Sequence, residues 1–373
     1  MICKLALEDG TVFTGQSTGA PGTVTGEVVF NTAMAGYQEV LTDPSYCGQI
    51  VAMTSSMIGN YGVNDTDQES RRTFLSGFVV REMVKQHSNW RATGDLPAYL
   101  NDNGVVAVTG VDTRALTRRL RVLGSLRGAL STKITDDREL IALARATPSM
   151  AGHKLADRVT RDEPCGWDER LPGNGDTTAH QTAAALHVAV IDTGAKSNIL
   201  RHLASRGCRT RIVPCTAPAE AILESKPDGV LVCNGPGDPE PVVDTIAALR
   251  SIIGRVPLFG ICLGHQLISL ALGAKTHKLK FGHHGVNHPV MNLATGRVEI
   301  TSQNHGFAVT EESLPGAGAV VTHRSLNDRS VEGFAHASDP IFAVQYHPEA
   351  APGPHDSTYL FDGFIEMMQS GQV

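Results

Sequence analysis

Val256-Pro257-Leu258-Phe259-Gly260-Ile261-Cys262-Leu263-Gly264 is an apolar run that ends in a cysteine with glycine two positions away on either side. Val256 to Gly260 reads as a buried strand and Leu263 to Leu272 as a helix, which places Cys262 on a sharp strand-to-helix turn. Glycines at both flanks keep neighbouring backbone from colliding with such a turn. The helix N-terminus that follows contributes a positive field and free N–H groups, which favour a thiolate and can hold a developing oxyanion. A cysteine in this setting is placed to attack a carbonyl carbon.

Upstream of this turn, strands and helices alternate. Leu186 to Asp192 is an apolar run ending at Thr193-Gly194, and a helix follows from Ser197 to Arg206. Thr210 to Val213, a helix from Pro218 to Glu224, and Gly229 to Cys233 continue the pattern up to a Gly-Pro-Gly turn. This alternation implies a parallel sheet covered by helices on both faces. Downstream, Ile341 to Val344 is a further strand, and it ends just before His347 and Glu349. A Cys-His pair needs a third group to fix the imidazole tautomer, and a carboxylate two residues beyond the histidine can supply it.

The first part of the chain is of another kind. Short β-like runs (Glu27 to Phe30, Gln49 to Met53, Gly77 to Val80) are joined by turns such as Gly59-Asn60-Tyr61-Gly62. Asp112 can cap a helix with Leu116, Leu120 and Leu123 on one face, and a second helix is expected around Asp136 to Arg145. From Arg161 to Gln181 the composition turns polar and rich in proline and glycine. The expected organisation is therefore an α/β fold in two domains, 1–152 mixed α/β and 186–373 with a mostly parallel sheet, joined by a linker over 153–185.

Composition narrows the function. The 373 residues allow about two domains of ordinary size. With 41% hydrophobic and only 5% aromatic residues, the chain suits a soluble α/β protein. The start, MICKLALEDGTVFTG, shows neither a secretory leader nor an apolar span, so a cytoplasmic protein without a membrane anchor is expected. Seven scattered cysteines with no C-x-x-C pair argue for reduced thiols, not a disulfide framework or a zinc ribbon. A net charge of -6 without long runs gives no electrostatic reason for a nucleic-acid partner.

Two motifs carry a resemblance. Gly260-Ile261-Cys262-Leu263-Gly264-His265-Gln266 and Ala343-Val344-Gln345-Tyr346-His347-Pro348-Glu349 resemble the nucleophile and His-Glu motifs of class I (triad-type) glutamine amidotransferases. Asn234-Gly235-Pro236-Gly237-Asp238-Pro239 resembles that family's oxyanion loop, with Cys233 where a serine is expected. Within the class, Lys280 to Pro289, Gln303-Asn304-His305-Gly306-Phe307, Phe30 to Glu39, Leu41 to Tyr46 and Gly110 to Leu116 are similar to the small subunit of carbamoyl phosphate synthetase, so the likeness covers nearly the whole chain.

The resemblance implies a catalytic triad of Cys262, His347 and Glu349, with a thioester formed on Cys262. It also implies that L-glutamine is contacted by Ser45, Gly235, Gly237, Leu263, Gln266, Asn304, Gly306 and Phe307. Because Ser45 comes from the other domain, a glutamine cleft between the halves is expected. The product ammonia is implied to pass through an internal tunnel to a large subunit, in a heterodimer or higher assembly that serves arginine and pyrimidine synthesis.

No cofactor is expected in this chain. Gly194-Ala195-Lys196-Ser197 mimics the end of a phosphate-binding loop but lacks its upstream glycine, so ATP and magnesium are expected on the large partner. The spacing of His283, His284 and His288 does not put all three on one face of a helix or strand, and no carboxylate cluster accompanies them, so no metal site is expected. Two rival readings are a related synthase component (anthranilate, GMP or CTP synthase type), which the N-terminal motifs disfavour, and a non-catalytic regulatory subunit, which the intact triad disfavours.

Overall fold

The computed structural model describes residues 1–172 and 185–370, and the chain divides into two compact units. The first comprises 1–153 and 279–285, the second 154–278 and 286–373.

Among the described residues, the first unit is built on nine strands: β1 (Ile2–Leu7), β2 (Val12–Ser17), β3 (Thr23–Asn31), β4 (Gln49–Met53), β5 (Met57–Ile58), β6 (Gly77–Val79), β7 (Glu82–Met83), β8 (Val106–Thr109) and β9 (Leu126–Ser131). Seven of them close a barrel in the order β1-β2-β8-β6-β4-β3-β9, with β5 and β7 paired separately. The pairs β3-β4, β4-β6 and β6-β8 are parallel and the rest of the barrel antiparallel. Leu5, Val28, Ile50, Val79, Val108 and Leu130 fill the interior at 0% exposure. Four helices of the described residues accompany the barrel: α1 (Tyr37–Thr42), α2 (Leu96–Asp102), α3 (Thr113–Leu123) and α4 (Asp137–Ala146). Asp112 and Asp136 cap α3 and α4 as their sequence implies, accepting from the N–H groups of Ala115 (3.0 Å) and Glu139 (2.9 Å).

The second unit holds a ten-stranded sheet of described residues: β10 (Cys165–Trp167), β11 (His187–Asp192), β12 (Arg209–Pro214), β13 (Gly229–Val232), β14 (Leu258–Ile261), β15 (Thr276–Asn292), β16 (Val298–Val309), β17 (Ala319–Ser325), β18 (Val331–His336) and β19 (Ile341–Val344). Their order is β10-β12-β11-β13-β14-β19-β18-β17-β15-β16. The centre, β12 to β19, is parallel, as the strand-helix alternation requires. Beyond β19 the pairing with β18, and then β17 and β15, is antiparallel.

Five helices of the described residues complete this unit: α5 (Ser197–Ser205), α6 (Ala219–Leu223), α7 (Val243–Ile252), α8 (Leu263–Ala271) and α9 (Tyr359–Ser370). One apolar cluster joins the sheet to α6, α7 and α8, and another joins it to α5 and α9, so each face has its own core. Strands buried on both faces explain the unbroken apolar runs at β11, β13 and β14. Among the described residues no helix is long and apolar enough to cross a membrane.

The stretch expected as a linker is partly built into this unit. Leu155 and Ala156 are buried, β10 extends the sheet antiparallel to β12, and Arg161 donates its N–H to Asp192 Oδ2 at 2.9 Å. Its polar composition reflects an edge strand with one open side, which sequence patterning does not separate from a loop. The remainder of that expectation, residues 173–184, lies outside the described residues.

Candidate active site

In open α/β sheets, reactive groups gather beyond the carboxyl ends of the parallel strands. Here β11 leads to Lys196, β13 to Asn234–Gly237, β14 to Cys262, and β19 to His347 and Glu349. Cys262 has φ 54° and ψ -103°, a left-handed conformation rarely adopted by a residue with a side chain, and it is held there from both sides. Its own N–H donates to Val344 O at 2.9 Å, and that of Gly264 to Cys233 O at 3.0 Å. A Cβ on Gly264 would lie 2.1 Å from Val232 O, which accounts for the second glycine of the motif. Cys262 Sγ lies 3.6 Å from Asn304 O and donates to it as a thiol.

His347 is anchored by its N–H to Ser302 O at 2.9 Å, and its Nδ1 lies 2.7 Å from Glu349 Oε1. With Nδ1–H donated to the carboxylate, Nε2 is the nitrogen left to exchange a proton with the sulfur. Nε2 is buried and, among the described residues, makes no hydrogen bond of ordinary geometry. Both triad partners of Cys262 are 1% exposed. Burial, and then the Lys196 charge, pull the imidazole pKa down, but the Glu349 carboxylate foremost outweighs them and raises it well above the usual histidine value. Burial pushes Glu349 up, and Lys196 and His347 together overcome it, holding the carboxylate well below its usual range. The coupling of His347 to Glu349 thus favours the charged form of each, and the pair is set behind the cysteine.

Lys196 is the residue that sequence reasoning missed. Its Nζ meets the same Glu349 Oε1 at 2.7 Å, and the side chains of the pair are 2% and 0% exposed. The stretch Gly194-Ala195-Lys196-Ser197 reads as a failed phosphate loop, but its lysine turns inward to the triad carboxylate. The available signal was positional: this lysine follows β11 at the same sheet edge as Cys262.

The Asn234–Gly237 loop is fastened beside α8. Thr193 Oγ1 donates to Cys233 O (2.8 Å) and Asn234 O (2.9 Å), and Asn234 Oδ1 accepts from Lys196 N at 3.2 Å. A Cβ on Gly235 would meet Thr193 O at 2.1 Å and Leu263 Cδ2 at 2.7 Å. Gly237 has φ 85° and packs on Leu155. Leu263, first in α8, has an N–H with no intrahelical acceptor, as an oxyanion donor needs. Gln266 Nε2 donates to Phe307 O (2.8 Å) and Gln345 Oε1 (3.0 Å), tying α8 to β16, the strand that carries Asn304, Gly306 and Phe307.

The second unit thus brings together Cys262, His347, Glu349, Gly235, Gly237, Leu263, Gln266, Asn304, Gly306 and Phe307. Ser45 belongs to the first unit, where it is buried in the turn Pro44–Tyr46 and donates its N–H to Asp43 Oδ1 at 2.8 Å. Four of the other buried thiols are held protonated: burial pushes Cys3, Cys208 and Cys215 up to about 12 and Cys233 well above its ordinary value.

A cysteine on a strand-to-helix turn, with His and Glu from a neighbouring strand end, is the arrangement expected of a triad-type amidotransferase domain. Residues 189–367 match the family model "Glutamine amidotransferase class-I", and residues 5–130 match "Carbamoyl-phosphate synthase small chain, CPSase domain". The carbamoyl phosphate synthase small chain of Rhodopirellula baltica is 54% identical over 98% of this chain and 96% of its own. That of Synechococcus sp. is 53% identical over 99% and 94%, and that of Aquifex aeolicus 51% over 98% and 98%. The chain belongs to the carbamoyl phosphate synthase small-chain family and carries that family's glutamine amidotransferase domain.

Proposed function

We propose that this chain hydrolyses L-glutamine to glutamate and ammonia through a thioester on Cys262, and that it supplies the ammonia to a large partner subunit for carbamoyl phosphate synthesis. The observation that carries the reading is the line Cys262–His347–Glu349 at the carboxyl edge of the parallel strands, in a chain of this family. The sulfur, giving its proton to His347, attacks the carboxamide carbon of glutamine, and the tetrahedral adduct collapses to the thioester as His347 hands that proton to the nitrogen and the C–N bond breaks. Water, giving a proton back to His347, then attacks the thioester and releases glutamate with the thiol restored. The N–H groups of Leu263 and Gly237 hold the oxyanion in both steps, and Gln266 with the Asn304–Phe307 segment positions the substrate.

Glutamine hydrolysis needs no nucleotide, whereas making carbamoyl phosphate from bicarbonate does, so ATP and magnesium belong to the partner. The engagement of Lys196 with Glu349 supports this, since the one stretch resembling a phosphate loop has its lysine committed elsewhere. A cytoplasmic setting goes with the proposal and is supported by seven unbridged cysteines. The test is carbamoyl phosphate synthesis by the complex with glutamine or with ammonium chloride as nitrogen source. Glutamine-dependent synthesis that survives Cys262→Ala would refute the proposal.

A further inference from the structure

The side-chain amide of Gln266 can offer a ligand either a donor or an acceptor, depending on how it is turned. Two contacts decide which. Phe307 O, a backbone carbonyl that can only accept, lies 2.8 Å from one end of the amide, so that end is the NH2 group. The same Nε2 meets Gln345 Oε1 at 3.0 Å and gives it the second proton. With both protons committed, Oε1 is what the amide has left for a ligand. Gln266 stands one turn beyond Cys262 and donates its own N–H to Cys262 O at 3.3 Å, so this amide is carried on the same helical turn as the nucleophile.

Gln345 is firmly placed to take that proton. It follows β19 directly, is 0% exposed, and donates its N–H to Glu332 O on β18 at 2.9 Å. Two residues on, the N–H of His347 is fixed to Ser302 O on β16, so the segment is pinned on both sides. Gln345 Nε2 is buried and, among the described residues, makes no hydrogen bond of ordinary geometry. An apolar side chain of similar length would avoid that cost, so the end of the Gln345 amide put to use is its carbonyl. Turning the amide over would set one NH2 group against the other.

We infer that Gln345 is a positioning residue of the glutaminase site: by accepting the second proton of Gln266 Nε2, it fixes the Gln266 amide with Oε1 as the group offered to L-glutamine. The inference rests on the proposed glutaminase function. An oxygen acceptor suits the α-ammonium of an amino acid and opposes its carboxylate, so the pair reads the amino-acid end of the substrate and not the carboxamide that reacts. Gln345 acts only through Gln266. Its contribution is made equally in the ground state and the transition state, so it belongs to KM and not to kcat.

The experiment uses the full chain co-expressed with the large subunit and compares wild type, Gln345→Met, Gln266→Met and the double variant. Methionine keeps the length of the side chain and deletes the unpartnered Nε2, so Gln345→Met should melt close to wild type. A hydrogen bond to a charged group is worth about 10- to 100-fold in affinity, and an amide free to turn gives up part of it. The expected result for Gln345→Met is a rise of about 10-fold in KM for glutamine, with kcat within about threefold. Gln266→Met, which removes the acceptor itself, should raise KM at least as far. In the double variant KM should stay within about twofold of Gln266→Met, because the second change has nothing left to orient. Synthesis from ammonium chloride, which bypasses the site, controls for an intact complex. A KM within twofold of wild type in either single variant overturns the inference, as does a fall in kcat with KM unmoved. A Gln345→Met loss that repeats in full on top of Gln266→Met overturns it as well, since Gln345 would then act by another route. Failure of the underlying reading is distinguishable, because then the wild-type complex itself would not use glutamine.

Discussion

Exchanging Glu349 for glutamine would take from the Lys196 ammonium, 2% exposed, the carboxylate it meets at 2.7 Å. Removing one member of a buried ion pair costs about 3–5 kcal/mol, because the surviving charge stays out of water unbalanced. For a unit of this size each kcal/mol is worth about 2–4 °C in Tm, so Glu349→Gln should lower the melting temperature of the second unit by roughly 6–20 °C. Lys196→Met should cost less, near the lower end of about 3–5 kcal/mol, because Glu349 keeps His347 as a cationic partner. Removing both charges together leaves neither the ammonium nor the carboxylate unbalanced, and His347 can shed its proton, so the double variant should be less destabilised than the sum of the singles by about 2–3 kcal/mol.

The assay is denaturant unfolding followed through Trp167, which lies on β10 of the second unit. A Trp90→Phe background removes the other tryptophan, whose side chain is 92% exposed. Single variants within about 1 kcal/mol of wild type, or strictly additive losses, would refute the claim that this pair is a buried element of the triad.

The same pair sets a pH dependence. Glu349, depressed in the folded chain, contributes stability above the ordinary carboxylate pKa of about 4.3 and loses it as pH falls through its lower folded value. His347, raised, contributes fully below the ordinary histidine pKa of about 6.5 and loses it as pH rises through its higher folded value. The stability gap between wild type and Glu349→Gln should therefore be widest near pH 5–6 and narrow on the alkaline side, measured as urea midpoints across pH. Three other buried histidines act in the opposite direction: desolvation lowers His265 to about 3 and His202 and His323 to about 4. Below about pH 6.5 the unfolded chain binds protons that these rings refuse, each steepening the acid-side loss by about 1.4 kcal/mol per pH unit. His265→Leu should remove one such share, and an unchanged slope between pH 6.5 and 5 would contradict it. Gly264→Ala should cost about 1–3 kcal/mol or more, because its Cβ meets Val232 O at 2.1 Å, whereas Gly316→Ala, with nothing within 4 Å, should change the melt little.

The strand-to-helix turn at Cys262 was legible because it imposes local rules: two glycines, an apolar strand before and a helix after leave few alternatives, and the structure adds the clash that explains Gly264. The central strands β11, β13 and β14 were legible because burial on both faces writes continuous apolar runs. Closure of the first unit into a barrel was not, since closure depends on long-range pairing such as β1 with β9, more than 120 residues apart, and no local pattern records it. The antiparallel extension from β18 to β15 escaped for the same reason. Lys196 was hidden because a buried lysine looks like a surface one until its partner, about 150 residues away, is placed beside it.

The most direct measurement is trapping of the acyl-enzyme. Denaturing the complex with acid during turnover of labelled L-glutamine should leave label covalently bound to this chain in wild type and none in Cys262→Ala, with synthesis from ammonium chloride equal in both. Label retained on Cys262→Ala, or glutamine-dependent synthesis without a trapped thioester on Cys262, would contradict the account.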